Sequence, residues 1–315
     1  MIESILLGIP IPPIFVSQRE DGIWDVVDGL QRLSTIYEFV GKLKGEDGEP
    51  LKPLTLEKTD YLPSLESKKW ENPHDQETSL TQVQRLLIKR SKIDVTILQK
   101  EGDEIAKYEL FQRLNTGGST ATPQEVRSCI LVMFNRDMYH WMRELGRNEM
   151  FREYISLSDR PLEEQYDIEL VLRFLVFRSL EEEELKQVGD LGIFLTKKMV
   201  SMAQRQGFPY ETEKDAFEKT FEILYSQLGN DSFRKYDVRR DKFLGGFLVS
   251  AYEVIALGIG YNYENIAKSA SALDLREKVK SIWMHTEYTS WSGSGITAQR
   301  RIPKIVPLGR EVFKA

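Results

Sequence analysis

The chain has 315 residues, of which 41% are hydrophobic and 29% charged, and its formal net charge is −6. This composition excludes an intrinsically disordered chain, and the acidic balance excludes a strongly basic field over the whole molecule, although it permits a local basic patch. The single cysteine, Cys129, excludes an intramolecular disulfide and a cysteine-based zinc site, and we expect it to be a buried small hydrophobe.

No part of the sequence predicts membrane insertion or secretion. The longest apolar runs, 170–177 and 245–260, are too short to span a bilayer, and they contain Arg173 and Glu253. No signal peptide is visible at the N-terminus. We therefore expect a cytoplasmic protein with no membrane partner.

The first part of the chain mixes strand and helix patterns. A helical pattern at 2–6 begins without a capping residue, so we expect that an upstream segment is missing. Two strands are predicted at 11–17 and 23–27, joined by a polar turn whose Asp-Gly pair favours a hairpin. The elements that follow are a helix at 29–43, a short strand at 54–56, a helix at 80–89 and a strand at 93–98.

From Asp103 onward the periodicity is helical throughout. Helices are predicted at 104–114 and 123–133, and the helix at 162–180 is apolar on most sides, which indicates a buried, central position. Further helices are predicted at 190–204, 212–228, 241–258, 262–283 and 297–313. The expected fold class is α+β, with a small mixed α/β domain over 1–102 and a mostly α-helical domain over 103–315.

The first junction that could carry chemistry is Asp28-Gly29-Leu30-Gln31-Arg32, where a strand turns into a helix. The start of a helix offers backbone N–H groups and a positive dipole end, which suit an anion such as phosphate. Asp28 and Gln31 equally fit a capping box that needs no functional role. Capping does not account for Arg32, so both interpretations remain open.

The second junction, residues 111–127, places a glycine pair ahead of a helix. Thr122, Pro123 and Glu125 predict the helix start, as N-cap, first and third helical residues. Gly117 and Gly118 could form an anion-binding nest, or belong to a plain connection between two helices. The stretch is not a P-loop, because no Lys-Ser or Lys-Thr follows the glycines.

Two clusters of basic residues could contact nucleic acid. Arg239 and Arg240 lie in one, and Arg300 and Arg301 lie in the other on the last predicted helix. In an acidic chain such clusters form either phosphate contacts to DNA or surface ion-pair networks, and the sequence leaves both open.

At the two junctions the chain resembles the N-terminal domain of GmrSD-type modification-dependent restriction endonucleases, a family with an Asp-Gly-Gln-Gln-Arg motif and a ParB/sulfiredoxin-like fold. The motif stands here as Asp28-Gly29-Leu30-Gln31-Arg32, after a lead-in over 2–14. Residues 111–127 look like the second hallmark, Phe-x-Arg-Leu-Asn-x-Gly-Gly followed by a Gln-Glu-x-Arg helix. The match is specific over 2–39 and 108–135.

The resemblance implies a nucleotide site that takes a nucleoside triphosphate with Mg²⁺. Asp28 would orient the cation or a water, Gln31 would position the water, and Arg32 would neutralise phosphate charge. The nucleotide-binding residues would be Gly29, Arg113, Asn115, Gly117 and Gly118. Leu30 replaces the first glutamine of the family motif and offers no hydrogen bond, which makes nucleotide binding the firmer expectation and hydrolysis the weaker one.

The leading functional hypothesis is a nucleotide-binding, NTP-hydrolysing module of a modification-dependent restriction or anti-phage defence system. One alternative is a non-catalytic module that binds modified or unmodified DNA. Another is a scaffold that holds a separately encoded nuclease subunit. Because no His-Asn-His arrangement can be assembled from the three scattered histidines, we expect that the chain does not cut DNA by itself.

Overall fold

The computed structural model describes residues 1–18, 21–45, 48–98, 122–268, 274–293 and 295–314. The chain divides into two compact units, residues 1–102 and 103–315, which are the N-terminal unit and the helical unit below. The mixture of helix and sheet, with the three-stranded sheet near the N-terminus, confirms the predicted α+β class. The predicted helix at 104–114 lies outside the described residues.

The N-terminal unit surrounds a three-stranded sheet with short helices. Its elements are α1 (Ile2–Leu6), β1 (Ile14–Gln18), β2 (Trp24–Asp28), α2 (Leu30–Phe39), a 3-10 turn (Pro63–Leu65), α3 (Gln82–Arg90) and β3 (Val95–Leu98). The strand order is β2-β1-β3, with β1 antiparallel to β2 and parallel to β3. The antiparallel pair is the predicted hairpin, whereas the parallel pair needs the long crossover that contains α2 and α3.

A small hydrophobic core holds the helices of the N-terminal unit together. Its buried residues are Ile2, Ile5, Phe39, Leu65, Leu80 and Ile88. Phe39 meets the ring of Trp70 edge to face, with centroids 5.9 Å apart. Because α2 ends at Phe39, this ring sits at the last turn of the helix and ties it to the core.

The helical unit contains the remaining elements. They are α4 (Pro123–Phe134), α5 (Arg136–Gly146), α6 (Glu149–Ile155), α7 (Asp159–Glu163), α8 (Tyr166–Phe177), α9 (Glu182–Leu185), α10 (Leu191–Gln204), α11 (Tyr210–Leu228), β4 (Lys235–Asp237), β5 (Lys242–Leu244), α12 (Val249–Lys268), α13 (Leu275–Ile282), α14 (Thr286–Trp291) and α15 (Ala298–Val312). Helices α8 and α12 are buried along most of their length, as the sequence predicted for the first of them.

Glycines allow the backbones of α12 and α15 to touch. A Cβ atom added to Gly258 would overlap the backbone of Gly309, and one added to Gly309 would overlap the carbonyl of Val254. Gly260 is packed in the same way against the ring of Phe174 on α8. These glycines therefore serve helix packing in the middle of the unit.

This packing explains the largest difference from the predicted elements. The prediction placed one helix at 241–258 and another at 262–283, whereas α12 runs from Val249 to Lys268 and α13 from Leu275 to Ile282. Residues 242–244 form β5 instead of helix. The glycines near 258–260 resemble a helix stop in the sequence, but tertiary packing keeps them within a continuous helix. Two smaller predictions were also wrong, because α2 ends at Phe39 and residues 54–56 form no strand.

Candidate functional site

The junction between β2 and α2 is built around Gly29. Strand β2 ends at Asp28, Gly29 is the N-cap with φ +98°, and α2 begins at Leu30. A Cβ atom at position 29 would overlap the Cγ2 atom of Ile14 on β1. Both the left-handed backbone and this close approach demand glycine, so the sharp turn brings the start of the helix directly against the central strand.

Arg32 lies beside this turn and holds the segment that leads into β1. Its Nη1 atom donates hydrogen bonds to the carbonyl oxygens of Pro12, at 2.7 Å, and Pro13, at 3.0 Å. Its Nη2 atom lies 3.4 Å from the position that a Cβ at Gly29 would occupy. A guanidinium is thus fixed at the N-terminal end of α2, where the helix dipole is also positive.

The predicted capping box at this helix is wrong. The N-cap residue is Gly29 and not Asp28, which places Gln31 at the second helical position instead of the third. A glycine N-cap supplies no side-chain oxygen to the first N–H groups of the helix. Gln31 is exposed, and so is Leu30, with 63% of its surface accessible. The side chain of Asp28 lies outside the described part of the structure.

The second junction confirms the predicted helix start. Thr122 and Glu125 form a reciprocal capping box, with Glu125 N donating to Thr122 Oγ1 at 3.3 Å and Thr122 N donating to Glu125 Oε2 at 2.6 Å. Pro123 occupies the first helical position of α4. The predicted loop residues Arg113, Asn115, Gly117 and Gly118 fall within 99–121, outside the described residues. They remain sequence predictions.

A chain of buried charges starts on α4 and crosses the helical unit. Arg127 donates to Glu169 at 2.5 Å, and Glu169 also accepts from Arg173 at 2.6 Å. Arg173 reaches Glu253 on α12 at 2.7 Å, and Glu253 pairs with Arg301 on α15 at 2.6 Å. Three guanidinium groups and two carboxylates therefore connect four helices, and Glu253 is fully buried.

The pairing keeps Arg173 charged in spite of its burial. Desolvation disfavours the guanidinium of Arg173, but the carboxylates of Glu169 and Glu253 outweigh it and raise its pKa above the usual value. In the sequence, Arg173 and Glu253 stand out only as charges within apolar runs, which argue against membrane spans. Arg173 lies in one apolar run and Glu253, of opposite charge, lies in another. Those opposite charges were the signal that could have predicted a buried pair.

Residues 1–132 match the family model of the GmrSD restriction endonuclease, N-terminal domain. Neither the comparison with curated proteins nor the comparison with solved structures found a match.

Residues 1–132, called the GmrSD N-terminal region below, are therefore similar to a domain of a restriction endonuclease. The region contains the whole β2–α2 junction and ends within α4, at the helix that carries Arg127. The motif that carried the resemblance therefore lies in the part of the chain that the family covers. Both hallmark segments, at 28–32 and at 111–127, lie within it.

The basic residues predicted to contact DNA separate into exposed and buried ones. Arg239, Arg240 and Arg300 are exposed. Arg301 is only 8% exposed and is paired with Glu253, so it does not belong to the exposed basic residues of the last helix. Its inclusion among the DNA contacts is corrected accordingly. The sequence did not separate it from Arg300 because neighbouring residues on a helix point in different directions, about 100° apart.

Arg310, which lies on the same helix as Arg300 and Arg301, is also turned inward. It donates from Nη2 to the carbonyl oxygens of Phe177 and Leu180, where α8 ends. Its guanidinium lies 4.4 Å from the ring centroid of Tyr261. Burial lowers its pKa. Arg310 therefore satisfies a helix C-terminus and does not present a charge to solvent.

Two features are absent from the described residues. No group of three or more His, Cys, Asp or Glu side chains is arranged to hold a metal ion there. No helix in that part of the chain is both long and apolar enough to cross a membrane.

Proposed function

We propose that the GmrSD N-terminal region is a nucleotide-binding module of a restriction or anti-phage defence system. The site would be the β2–α2 junction, and the ligand a nucleoside triphosphate with Mg²⁺. One observation carries the proposal: the guanidinium of Arg32 lies against Gly29 at the start of α2. A fixed cation and the positive end of a helix at one point provide the charge that a phosphate group needs.

The geometry also favours close approach of a phosphate to the backbone. Gly29 supplies no side-chain oxygen at the N-cap, so no side-chain cap hydrogen bond engages the first N–H groups of α2. The hydrogen bonds to Pro12 and Pro13 hold the guanidinium in place before a ligand arrives. Such preorganisation lowers the cost of binding, because fewer groups have to be ordered.

Within this proposal the motif residues have separate roles. Asp28 ends β2 next to the turn and would share a Mg²⁺ ion with phosphate oxygens. Gln31 is exposed one residue into the helix and would orient a water molecule. Mg²⁺, when bound, would neutralise phosphate charge. Leu30 offers no hydrogen bond in place of the family's glutamine, so we propose binding first and treat turnover as a separate result of the same experiment.

The test is calorimetric titration of the full chain with each of the four NTPs and Mg²⁺, followed by measurement of phosphate release. We expect binding of at least one NTP, with the affinity reduced about tenfold or more by Asp28→Ala or Arg32→Ala. Gln31→Ala should lower phosphate release, if release occurs, more than it lowers binding. Arg90→Ala is the matched control, because it removes an exposed cation of the same unit from the other end of a helix.

Arg32→Ala also removes the hydrogen bonds to Pro12 and Pro13, so its thermal unfolding is measured alongside the titration. Asp28→Asn serves as a second variant, since it removes charge with little change in volume. The proposal fails if no NTP binds the wild-type chain, or if binding is unchanged in Asp28→Ala and Arg32→Ala. Asn115→Ala in the same titration tests the loop residues predicted from the sequence.

A further inference from the structure

The basic hairpin formed by β4 and β5 separates its charges in an unusual way. Residues 234–242 contain five basic and two acidic side chains, a net charge of +3 in a chain whose total is −6. The strands pair in register, with Tyr236 opposite Phe243 and Asp237 opposite Lys242. The hairpin lies in the helical unit, outside residues 1–132.

Both acidic side chains of the hairpin are used to build its frame. Asp237 Oδ1 accepts hydrogen bonds from the backbone N–H groups of Arg239, at 2.9 Å, and Arg240, at 3.2 Å, which fixes the turn. Asp241 Oδ1 accepts from the hydroxyl of Tyr236 at 2.6 Å and from Nζ of Lys280 at 3.1 Å. The carboxylates are therefore turned toward the hairpin and α13.

The cations, by contrast, face solvent. Lys235, Arg239, Arg240 and Lys242 are all exposed. Among the residues described, no carboxylate lies within 4.0 Å of Lys235, Arg239 or Lys242, and Arg240 has only a long contact of 3.8 Å to Asp237. A patch that existed only for surface ion pairs would place acids beside these groups. Their segregation leaves a ridge of unneutralised positive charge.

Contacts to α13 make the hairpin rigid. Arg276 stacks over Phe243 at 5.5 Å and Lys280 over Tyr236 at 5.5 Å, measured to the ring centroids. Tyr236 and Phe243 contact each other across the strands at 5.1 Å. The aromatic side chains thus face the protein and offer no platform for unpaired bases, which single-stranded nucleic acids usually require.

We propose that this hairpin is a binding surface for double-stranded DNA, with Lys235, Arg239, Arg240 and Lys242 contacting the phosphate backbone. A two-stranded ribbon fits the major groove of B-form DNA, and cations along its edges reach the phosphates on either side. Val238 at the tip is 51% exposed and can contact a base edge or a thymine methyl group. This surface belongs to the helical unit, whereas the β2–α2 junction belongs to the N-terminal unit.

The experiment is fluorescence anisotropy of the full chain with a labelled duplex between about 50 and about 200 mM salt. Four phosphate contacts predict a slope of log K against log salt near −3.6, that is about −0.9 for each contact. The variant Arg239→Ala/Arg240→Ala should weaken binding about tenfold or more at the lowest salt and reduce the slope by about 2. The control Lys197→Ala/Arg205→Ala removes two exposed cations elsewhere in the helical unit and should bind like the wild type.

Several results would overturn the proposal. They are no binding of the wild type at the lowest salt, equal binding by the hairpin variant and the wild type, and stronger binding of single-stranded DNA or polyglutamate than of the duplex. The last result would assign the ridge to a different class of partner. Nucleotide titration of the hairpin variant keeps the two proposals apart, because it should bind NTP as the wild type does even if the DNA result is negative.

Discussion

Gly29 and Arg32 meet two different demands of the β2–α2 junction. Gly29 is the residue that permits the turn, because any side chain there would both strain the backbone at φ +98° and overlap Ile14. Arg32 stabilises the same turn from outside by binding the carbonyl groups of Pro12 and Pro13. Gly29, which the fold requires, and Arg32, which supplies charge, therefore lie beside each other at the β2–α2 turn.

Replacing Gly29 by alanine should destabilise the N-terminal unit by about 3 kcal/mol, as the sum of backbone strain and overlap with Ile14. Urea denaturation measures this loss. Gly8→Ala is the control, because Gly8 also has a positive φ, +71°, but an added Cβ would meet no atom within 4 Å. We expect the control to lose about 1 kcal/mol. Equal losses in the two variants would contradict the role assigned to Ile14.

At the scale of elements, α1 is attached to the N-terminal unit by a carboxylate as well as by its apolar face. Glu3 Oε1 accepts hydrogen bonds from the backbone N–H groups of Tyr61, at 3.0 Å, and Leu62, at 2.8 Å. A hydrogen bond from the Thr59 side chain, aided by these two, lowers the pKa of Glu3 from its usual value. The 3-10 turn at Pro63–Leu65 is thereby joined to the first helix.

This pKa shift predicts an acid-sensitive step. Because the pKa of Glu3 is lower in the folded than in the unfolded chain, its contribution to stability is present above about pH 4.5 and is lost as the pH falls through the folded value. Glu3→Gln should therefore lower the urea midpoint near neutral pH and differ less from the wild type at acid pH. Midpoints measured from neutral to acid pH would contradict this if the difference between the two proteins stayed constant.

For the whole helical unit, the buried network is the structural feature with the widest reach. Its five side chains lie on α4, α8, α12 and α15, so the first and last described helices of the unit are coupled through ion pairs in the interior. Removing one member of such a network is costly, because the partner is left charged and buried. Glu169 and Glu253 each bridge two guanidinium groups, and Glu253 is the one of the two that is fully buried.

Glu253→Gln should destabilise the helical unit by about 3 to 5 kcal/mol. The control Glu183→Gln removes a pair with Lys186 in which both side chains are exposed, and it should cost about 0.5 kcal/mol or less. Hydrogen exchange followed by mass spectrometry gives the regional readout. Peptides from α8, α12 and α15 should exchange faster in Glu253→Gln, and those from residues 1–98 should not. Uniform acceleration along the chain would contradict the separate cores of the two units.

Local sequence patterns were sufficient to predict an element where the contacts that stabilise it lie within one short segment. The β1–β2 hairpin follows from alternation and an Asp-Gly turn, and the start of α4 follows from Thr122, Pro123 and Glu125. The Asp28-to-Arg32 motif identified the family, which the match over residues 1–132 confirms. In each case the deciding contacts lie within a few residues of one another, so propensity and capping are enough.

Only the tertiary structure decided which charges are buried and where the glycines are needed. Arg300 and Arg301 are adjacent in the sequence, yet one is exposed and the other pairs with Glu253, 48 residues away. Gly258 interrupts no helix because Gly309 packs against it, and Arg32 binds carbonyl groups about twenty residues upstream. These outcomes depend on partners that are distant in sequence. A local pattern therefore determines the type of each element and the family motif, whereas the partner of each charge depends on how the elements pack.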